Sequence, residues 1–349
     1  MNKLFEYPDA KQVLVSGDIH GDFKGIVYKL CIQYGLRDTL LIVAGDCGFG
    51  FEKPGYYETV YNQVIKRLRK ANNWVVFVRG NHDDPSYFAG EKVSHERWRC
   101  VPDYSVIRAC GHNVLCVGGA VSLDRKMRKA RNGWLRLYGR TETATWWEDE
   151  VPVFSPEEIE SIPPEIKIDS VVTHTAPSFC ELHDKQGLKS WAVTDPSLIW
   201  DTDKERQTID SVFNSLREHR YPVKHWYYGH FHQSWSGERE GVMFSMLDIE
   251  EFMEIPANCS GKMAFDPDEI ISLCSRNREE DRPFLRRVDG NEYELCGDLK
   301  YMSINFEADD SIYAVDPPGG PFLYVGGTIA GKTIKEIRRQ DDRVYLVLE

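Results

Sequence analysis

An α/β fold built on a mainly parallel sheet, followed by a small β-rich appendage, is what this sequence predicts. Three observations carry that reading. Three short apolar runs each end in glycine and are separated by helix-length segments. The second of those segments has helical apolar spacing. After about Ala257 the pattern changes to short alternating stretches.

The first run, Gln12-Val13-Leu14-Val15-Ser16-Gly17, reads as a buried strand, because a short continuous apolar stretch is buried on both faces. A helix is expected over about Phe23 to Tyr34. Thr39 to Gly45 is the second strand. Tyr56 to Lys70 then places Val60, Val64, Ile65 and Leu68 on one helical face. Trp74 to Gly80 is the third strand. Strand-helix-strand-helix-strand in this order predicts parallel βαβ units. Further strands are expected at Ser105 to Arg108, Asn113 to Val117, Ile168 to Thr173, His225 to Tyr228 and Val242 to Leu247. A helix is expected at Asp203 to His219. Between Ser122 and Glu150 the chain is basic and then tryptophan-rich, and reads as a long excursion over the sheet edge. We place a domain at 1–257 and a β-rich appendage at 258–349, with strands near Phe284 to Val288, Glu292 to Leu295 and Val344 to Leu348. A Pro317-Pro318-Gly319-Gly320-Pro321 turn lies among them.

Composition narrows the function classes. The chain has 349 residues and 42% apolar content, enough for a sizeable core. No apolar run approaches the roughly 20 residues that span a bilayer, and the start does not read as a secretory signal. Nine scattered cysteines without CxxC spacing fit a reducing cytoplasm rather than a zinc ribbon. A net charge of −12 repels anionic membranes and long nucleic acids.

Five segments carry the chemistry. They are Gly17-Asp18-Ile19-His20, Gly45-Asp46-Cys47-Gly48, Gly80-Asn81-His82-Asp83, Thr173-His174 and Gly229-His230-Phe231-His232. Each follows a predicted strand at its carboxyl end, where open α/β sheets place ligands. Singly they are ordinary: Asp46 suits a turn, His174 a core histidine. Together they hold five of the ten histidines in the chain. Mixed carboxylate, imidazole and amide donors suit zinc, manganese or iron(II) better than calcium. Two ions about 3.5–4 Å apart would need a shared carboxylate.

The ordered set D-x-H, GD, GNHD, H and GHxH, from Asp18 to His232, resembles the calcineurin-like metallophosphoesterases. That resemblance implies a four-layer αββα sandwich with two divalent metals, manganese first and iron or zinc as alternatives. Asp18, His20 and His232 would hold one metal; Asn81, His174 and His230 the other; Asp46 both. A two-metal-activated water would attack a phosphoester in line, and His82 would protonate the leaving oxygen or stabilise charge. Asp83 would either orient His82 or cap the following turn. Gly45-Asp46-Cys47-Gly48-Phe49-Gly50 departs from the GDxVDRG segment of Ser/Thr protein phosphatases. It lacks the second aspartate that supports the histidine there, and the phosphate-binding arginine.

Candidates to clamp phosphate instead are Arg125, Arg128, Arg131, Arg136 and Arg140, with Arg125, Arg128 and Arg140 foremost, against a solvated basic loop. Trp146-Trp147 serves packing or substrate stacking. The leading expectation is a phosphomonoesterase acting on a phosphoprotein or small metabolite. The alternative is a phosphodiesterase or nuclease acting on nucleotides or short nucleic acids. A scaffold on the same fold is disfavoured, because such a protein would have lost ligands that this chain keeps.

Overall fold

The computed structural model describes residues 3–349 except 54, 90–91, 140–142, 181–184, 257–269, 273–283, 290, 297–301, 306–310, 315–320, 330–331 and 341–342. Arg140, the 257/258 junction and the Pro317–Gly320 part of the expected turn therefore lie outside the described residues. Contacts divide the chain into two compact units. One joins Met1–Ile26 to Arg37–Ala264, the other Val27–Leu36 to Phe265–Glu349.

The first unit begins with β1 (Leu4–Glu6), β2 (Gln12–Ser16), the first four residues of α1 (Phe23–Tyr28), β3 (Thr39–Val43), α2 (Tyr56–Ala71), β4 (Trp74–Phe77) and α3 (Ser86–Ala89). Next come β5 (Ser94–His95), β6 (Trp98–Cys100), β7 (Ser105–Ala109), β8 (His112–Val117), α4 (Arg125–Leu137) and α5 (Pro156–Glu160). It finishes with β9 (Ser170–Thr173), α6 (Lys185–Ala192), α7 (Leu198–Glu218), β10 (His225–Tyr228), β11 (Trp235–Arg239), β12 (Val242–Met246) and β13 (Phe252–Glu254).

Two sheets form. One runs β13-β2-β3-β4-β6-β5, the other β1-β7-β8-β9-β10-β12-β11. Neighbours from β2 through β3 and β4 to β6 are parallel, as are those from β8 through β9 and β10 to β12. The sheets pack face to face. Val13, Val15, Leu40, Ile42 and Val76 of the first meet Ile107, Val114, Cys116, Val172 and Tyr227 of the second. Strand residues alternate faces, so each sheet has a second apolar face to cover. On the seven-stranded sheet, Leu115, Val171, Trp226 and Phe244 pack against Ile159 of α5 and Ile209, Val212 and Phe213 of α7. On the six-stranded sheet, Phe77 and Trp98 meet Phe23, with Phe49 and Tyr57 in the same aromatic cluster. The layers are thus helix, sheet, sheet, helix, as the resemblance implied.

Two expectations need correction. The helix expected over Phe23 to Tyr34 is α-helical only to Tyr28 and continues as a π-helical turn over Lys29–Gln33. Its Tyr34 N–H bonds the Lys29 carbonyl at 2.9 Å, five residues back. The stretch from Ser122 to Glu150 contains α4, which that reading left out. Asn132 is buried on its inner side, while Met127, Trp134, Leu137 and Tyr138 are exposed.

The second unit carries β14 (Ile270–Ser272), β15 (Phe284–Asp289), β16 (Glu292–Cys296), β17 (Met302–Asn305), β18 (Ser311–Ala314) and β19 (Pro321–Tyr324). These are followed by β20 (Thr328–Ile329), β21 (Lys332–Gln340) and β22 (Arg343–Leu348). One sheet runs β14-β15-β16-β22-β21-β20, and β17-β18-β19 form another. Leu285, Tyr293, Leu295, Ile337, Val344 and Leu346 are in its core. Among the described residues, no helix is long and apolar enough to cross a membrane.

Candidate active site

The five sequence segments do follow strands. Asp18 and His20 come after β2, Asp46 after β3, Asn81 and His82 after β4, His174 after β9, and His230 and His232 after β10. Two ligand groups result, each with donor atoms within 4.8 Å of one another: Asp18, His20, Asp46 and His232, and Asp46, His174 and His230. Asp46 belongs to both.

The loops reach this arrangement at a conformational cost. His20, Asp46, His230 and His232 all have positive φ, between 44° and 70°. Such backbone costs about 1–3 kcal/mol per residue and persists only where surroundings impose it. Gly45 shows why glycine precedes Asp46: its φ is +96°, and a Cβ there would lie 2.2 Å from His174 Nδ1.

The donor set fits a cation. Asp18 and Asp46 are almost fully buried. His232 Nε2 lies 3.0 Å from both Asp18 Oδ2 and His20 Nε2. His174 donates Nδ1–H to the Ala44 carbonyl at 2.7 Å, which leaves Nε2 facing Asn81 Oδ1 at 3.0 Å and Asp46 Oδ1 at 3.1 Å. A second bond that fixes the tautomer is typical of metal-ligating histidines. Asn81 is held likewise: its Nδ2 donates to Ser122 Oγ at 2.9 Å, and Ser122 Oγ donates to the buried Glu150 at 2.6 Å. That bond turns Asn81 Oδ1 toward the cluster.

Charge is strongly coupled here. Burial pushes Asp18 up, but His232 and His174 hold it below the usual carboxylate range. Burial opposes ionisation of Asp46 too, yet His82 and His174 take it well below that range. His174 is lowered by burial, but Asp46 and Asp18 bring it up to about 9. His230, lowered by burial and by His174, drops to about 3. Buried carboxylates neutralised by imidazoles leave a compact site that a cation can enter by displacing protons.

His82 lies between two acids, with Nδ1 3.1 Å from Asp46 Oδ2 and Nε2 3.9 Å from Asp124 Oδ1. Burial lowers its pKa, but Asp46 and Asp124 together raise it above the ordinary value. Asp83 is corrected. It neither orients His82 nor caps the following turn. Its buried carboxylate accepts the N–H groups of Cys47, Gly48, Phe49 and Gly80, at 2.7 to 3.0 Å, and so sets the loop that carries Asp46. The second acid beside His82, farther than Asp46, is Asp124, which sequence reasoning missed. Asp124 follows β8, so it too sits past a strand end, but no motif marks it.

Arg125 is also corrected. Its guanidinium pairs with Asp195 and Asp201, each at 2.7 Å, and tethers α4 to the start of α7. Arg128 pairs with Asp124 at 2.6 Å and donates to the Thr145 carbonyl, so it meets the site through Asp124. Arg131 and Arg136 are exposed on α4. Trp147 stacks on Phe51 at 6.2 Å, and Phe51 lies 6.1 Å from His82.

Residues 11–234 match the calcineurin-like phosphoesterase family, more than half of the chain. The chain belongs to that family, and it is a metal-dependent hydrolase of phosphoester bonds. Among solved structures it is similar to a phosphopantetheinyl hydrolase from Mycobacterium tuberculosis, at 15% identity over 69% of this chain and 90% of that one, with a TM-score of 0.36. It is also similar to a cold-active protein-tyrosine phosphatase from a psychrophilic Shewanella species, at 12% identity over 74% and 78%, with a TM-score of 0.31. A predicted phosphoesterase from Streptococcus pneumoniae matches at 11% identity over 88% and 90%, with a TM-score of 0.25. No curated protein matches the chain in sequence.

Proposed function

We propose that the chain is a phosphomonoesterase that works with two divalent cations, manganese being the first candidate and iron or zinc the alternatives. The observation that carries the two-cation reading is the sharing of Asp46 between two ligand groups. Asp18, His20 and His232 would hold one cation, Asn81, His174 and His230 the other, and Asp46 both. When bound, such cations supply Lewis acidity toward phosphate oxygens and acidify water to near-neutral pKa.

The chain's own residues do the rest. His82 is the proton donor in this reading: burial lowers its pKa, but Asp46 and Asp124 raise it above the ordinary value and so favour the form that holds a proton, and it faces the same cavity as the candidate ligands. It gives that proton to the departing oxygen, which contributes roughly 10²–10⁴-fold for a poor leaving group. Asp124 Oδ1 lies 3.9 Å from His82 Nε2 and favours the charged imidazole. Besides the candidate metal ligands, the Arg206 guanidinium and the His82 imidazole, whose pKa is raised, line the cavity. A monoester dianion carries one more charge than a diester and uses them better, which supports the monoester reading over a diesterase or nuclease. The substrate is a phosphorylated metabolite or protein, and neither membrane nor long nucleic acid is a partner. Cytoplasmic location is supported by the scattered cysteines, and a domain division near 257/258 by the change of sequence pattern there.

The test is direct. Manganese-loaded protein should contain about two metals per chain and hydrolyse p-nitrophenyl phosphate faster than bis-p-nitrophenyl phosphate. Asp46→Asn should lose both metals and nearly all activity. A fully active Asp46→Asn protein would refute the two-cation reading, and a wild-type preference for the diester would refute the monoester reading.

A further inference from the structure

A cavity of about 260 Å³ adjoins the ligands, and its lining is of two kinds. Asp46, His82 and His230 belong to the reaction. Leu123, Leu188, Trp191 and Phe231 do not: they are apolar, two of them flat, and have no part in the chemistry above. Ligand pockets are built this way, with apolar walls and a few placed polar groups. At this volume the fit is to a small molecule.

The placed polar group is Arg206, from α7. It is 8% exposed and lines the cavity. Nε and Nη2 donate to the carbonyls of Ala176, Pro177 and Cys180. Among the described residues no carboxylate pairs with this guanidinium, and Nη1 has no hydrogen-bond partner. The adjacent Glu205 is committed elsewhere, accepting from Thr175 Oγ1 and from the Val121 N–H. A buried cation without a counter-ion is costly, and an anion in the cavity relieves that cost.

We infer that this cavity receives the leaving alcohol, and that it selects small phosphate esters whose alcohol joins an apolar body to an anionic group paired with Arg206. The inference rests on the phosphomonoesterase reading and names its substrate class. The anion is a carboxylate or a second phosphate.

The test compares kcat/KM for 4-(carboxymethyl)phenyl phosphate, 4-(phosphonomethyl)phenyl phosphate and the neutral 4-(carbamoylmethyl)phenyl phosphate. The methylene keeps the three phenols close in acidity, so leaving-group chemistry is matched. At least one charged ester should exceed the neutral one roughly tenfold or more, the range of a hydrogen bond to a charged group. Which charged ester wins identifies the anion. In Arg206→Gln the ratio should fall toward one, and Arg206→Lys should keep part of it. Manganese-dependent turnover of all three without preference overturns the pocket assignment and leaves the phosphomonoesterase standing. A preference undiminished in Arg206→Gln overturns the role of Arg206. Failure to turn over any monoester overturns the underlying reading itself. The wild-type ratio needs no variant, so an unstable Arg206→Gln protein does not shield the inference.

Discussion

Ser122→Ala should weaken metal binding without touching a metal ligand. Ser122 is buried, accepts from Asn81 Nδ2 at 2.9 Å and donates to Glu150 Oε2 at 2.6 Å. Removing its hydroxyl leaves the Asn81 amide without that acceptor and Glu150 without that donor, each almost fully buried. An orphaned buried polar group costs about 1–3 kcal/mol. Part of that falls on folding and part on the orientation of Asn81 Oδ1. Partners of this kind are worth about 10–100-fold in metal affinity, or about 1.4–2.7 kcal/mol. Calorimetric titration of manganese into metal-free wild type and Ser122→Ala should therefore show one affinity weakened by that factor. Thermal unfolding of the metal-free proteins separates the folding share. Glu150→Gln keeps an acceptor for the hydroxyl and should lose less. Unchanged manganese affinity in a folded Ser122→Ala protein would refute the relay.

His82→Ala should keep its metals and lose roughly 10²–10⁴-fold in rate, less for good leaving groups, which need no proton; Asp124→Asn should shift the same way by a smaller factor, and metal analysis with a leaving-group series checks both. Arg125→Ala breaks the pairs to Asp195 and Asp201 and should lower stability by about 1–3 kcal/mol in a denaturant titration, while the monoester-to-diester ratio stays constant. Glu205, buried, is pushed up to about 8 from an ordinary 4.5. The folded state thus keeps a proton that the unfolded chain has lost, and stability falls as pH rises between those values. At about 1.4 kcal/mol per pH unit the ceiling is about 5 kcal/mol, so metal-free Glu205→Gln should gain stability over wild type at pH 9 and little at pH 4.

The candidate ligand residues were legible because they sit beside glycines at the ends of apolar runs, a signal local to each segment. The two-sheet sandwich was legible only through the resemblance, since the face that β8 or β3 presents depends on partners far along the chain. Helix α4 escaped because its basic residues read as solvated loop and hid the spacing that buries Asn132. Asp124 escaped because its partner His82 comes from another strand end, and nothing local links the two. Asp83 sits within the motif, yet its true task, holding four backbone N–H groups, depends on how the neighbouring loop folds back. Arg206 looks like any helix arginine until the fold carries it inside.

The candidate ligands come from both sheets. Asp18, His20, Asp46 and Asn81 stand on loops of the six-stranded sheet, and His174, His230 and His232 on loops of the seven-stranded one. The direct His174 bond to the Ala44 carbonyl already crosses between them. Metal occupancy would therefore be mechanical as well as chemical: it would clasp the two halves of the sandwich at one edge, as a hinge pin joins two leaves. Chelation should let that edge breathe, with amide exchange quickening first at the ends of β3 and β9 while the opposite edge stays closed.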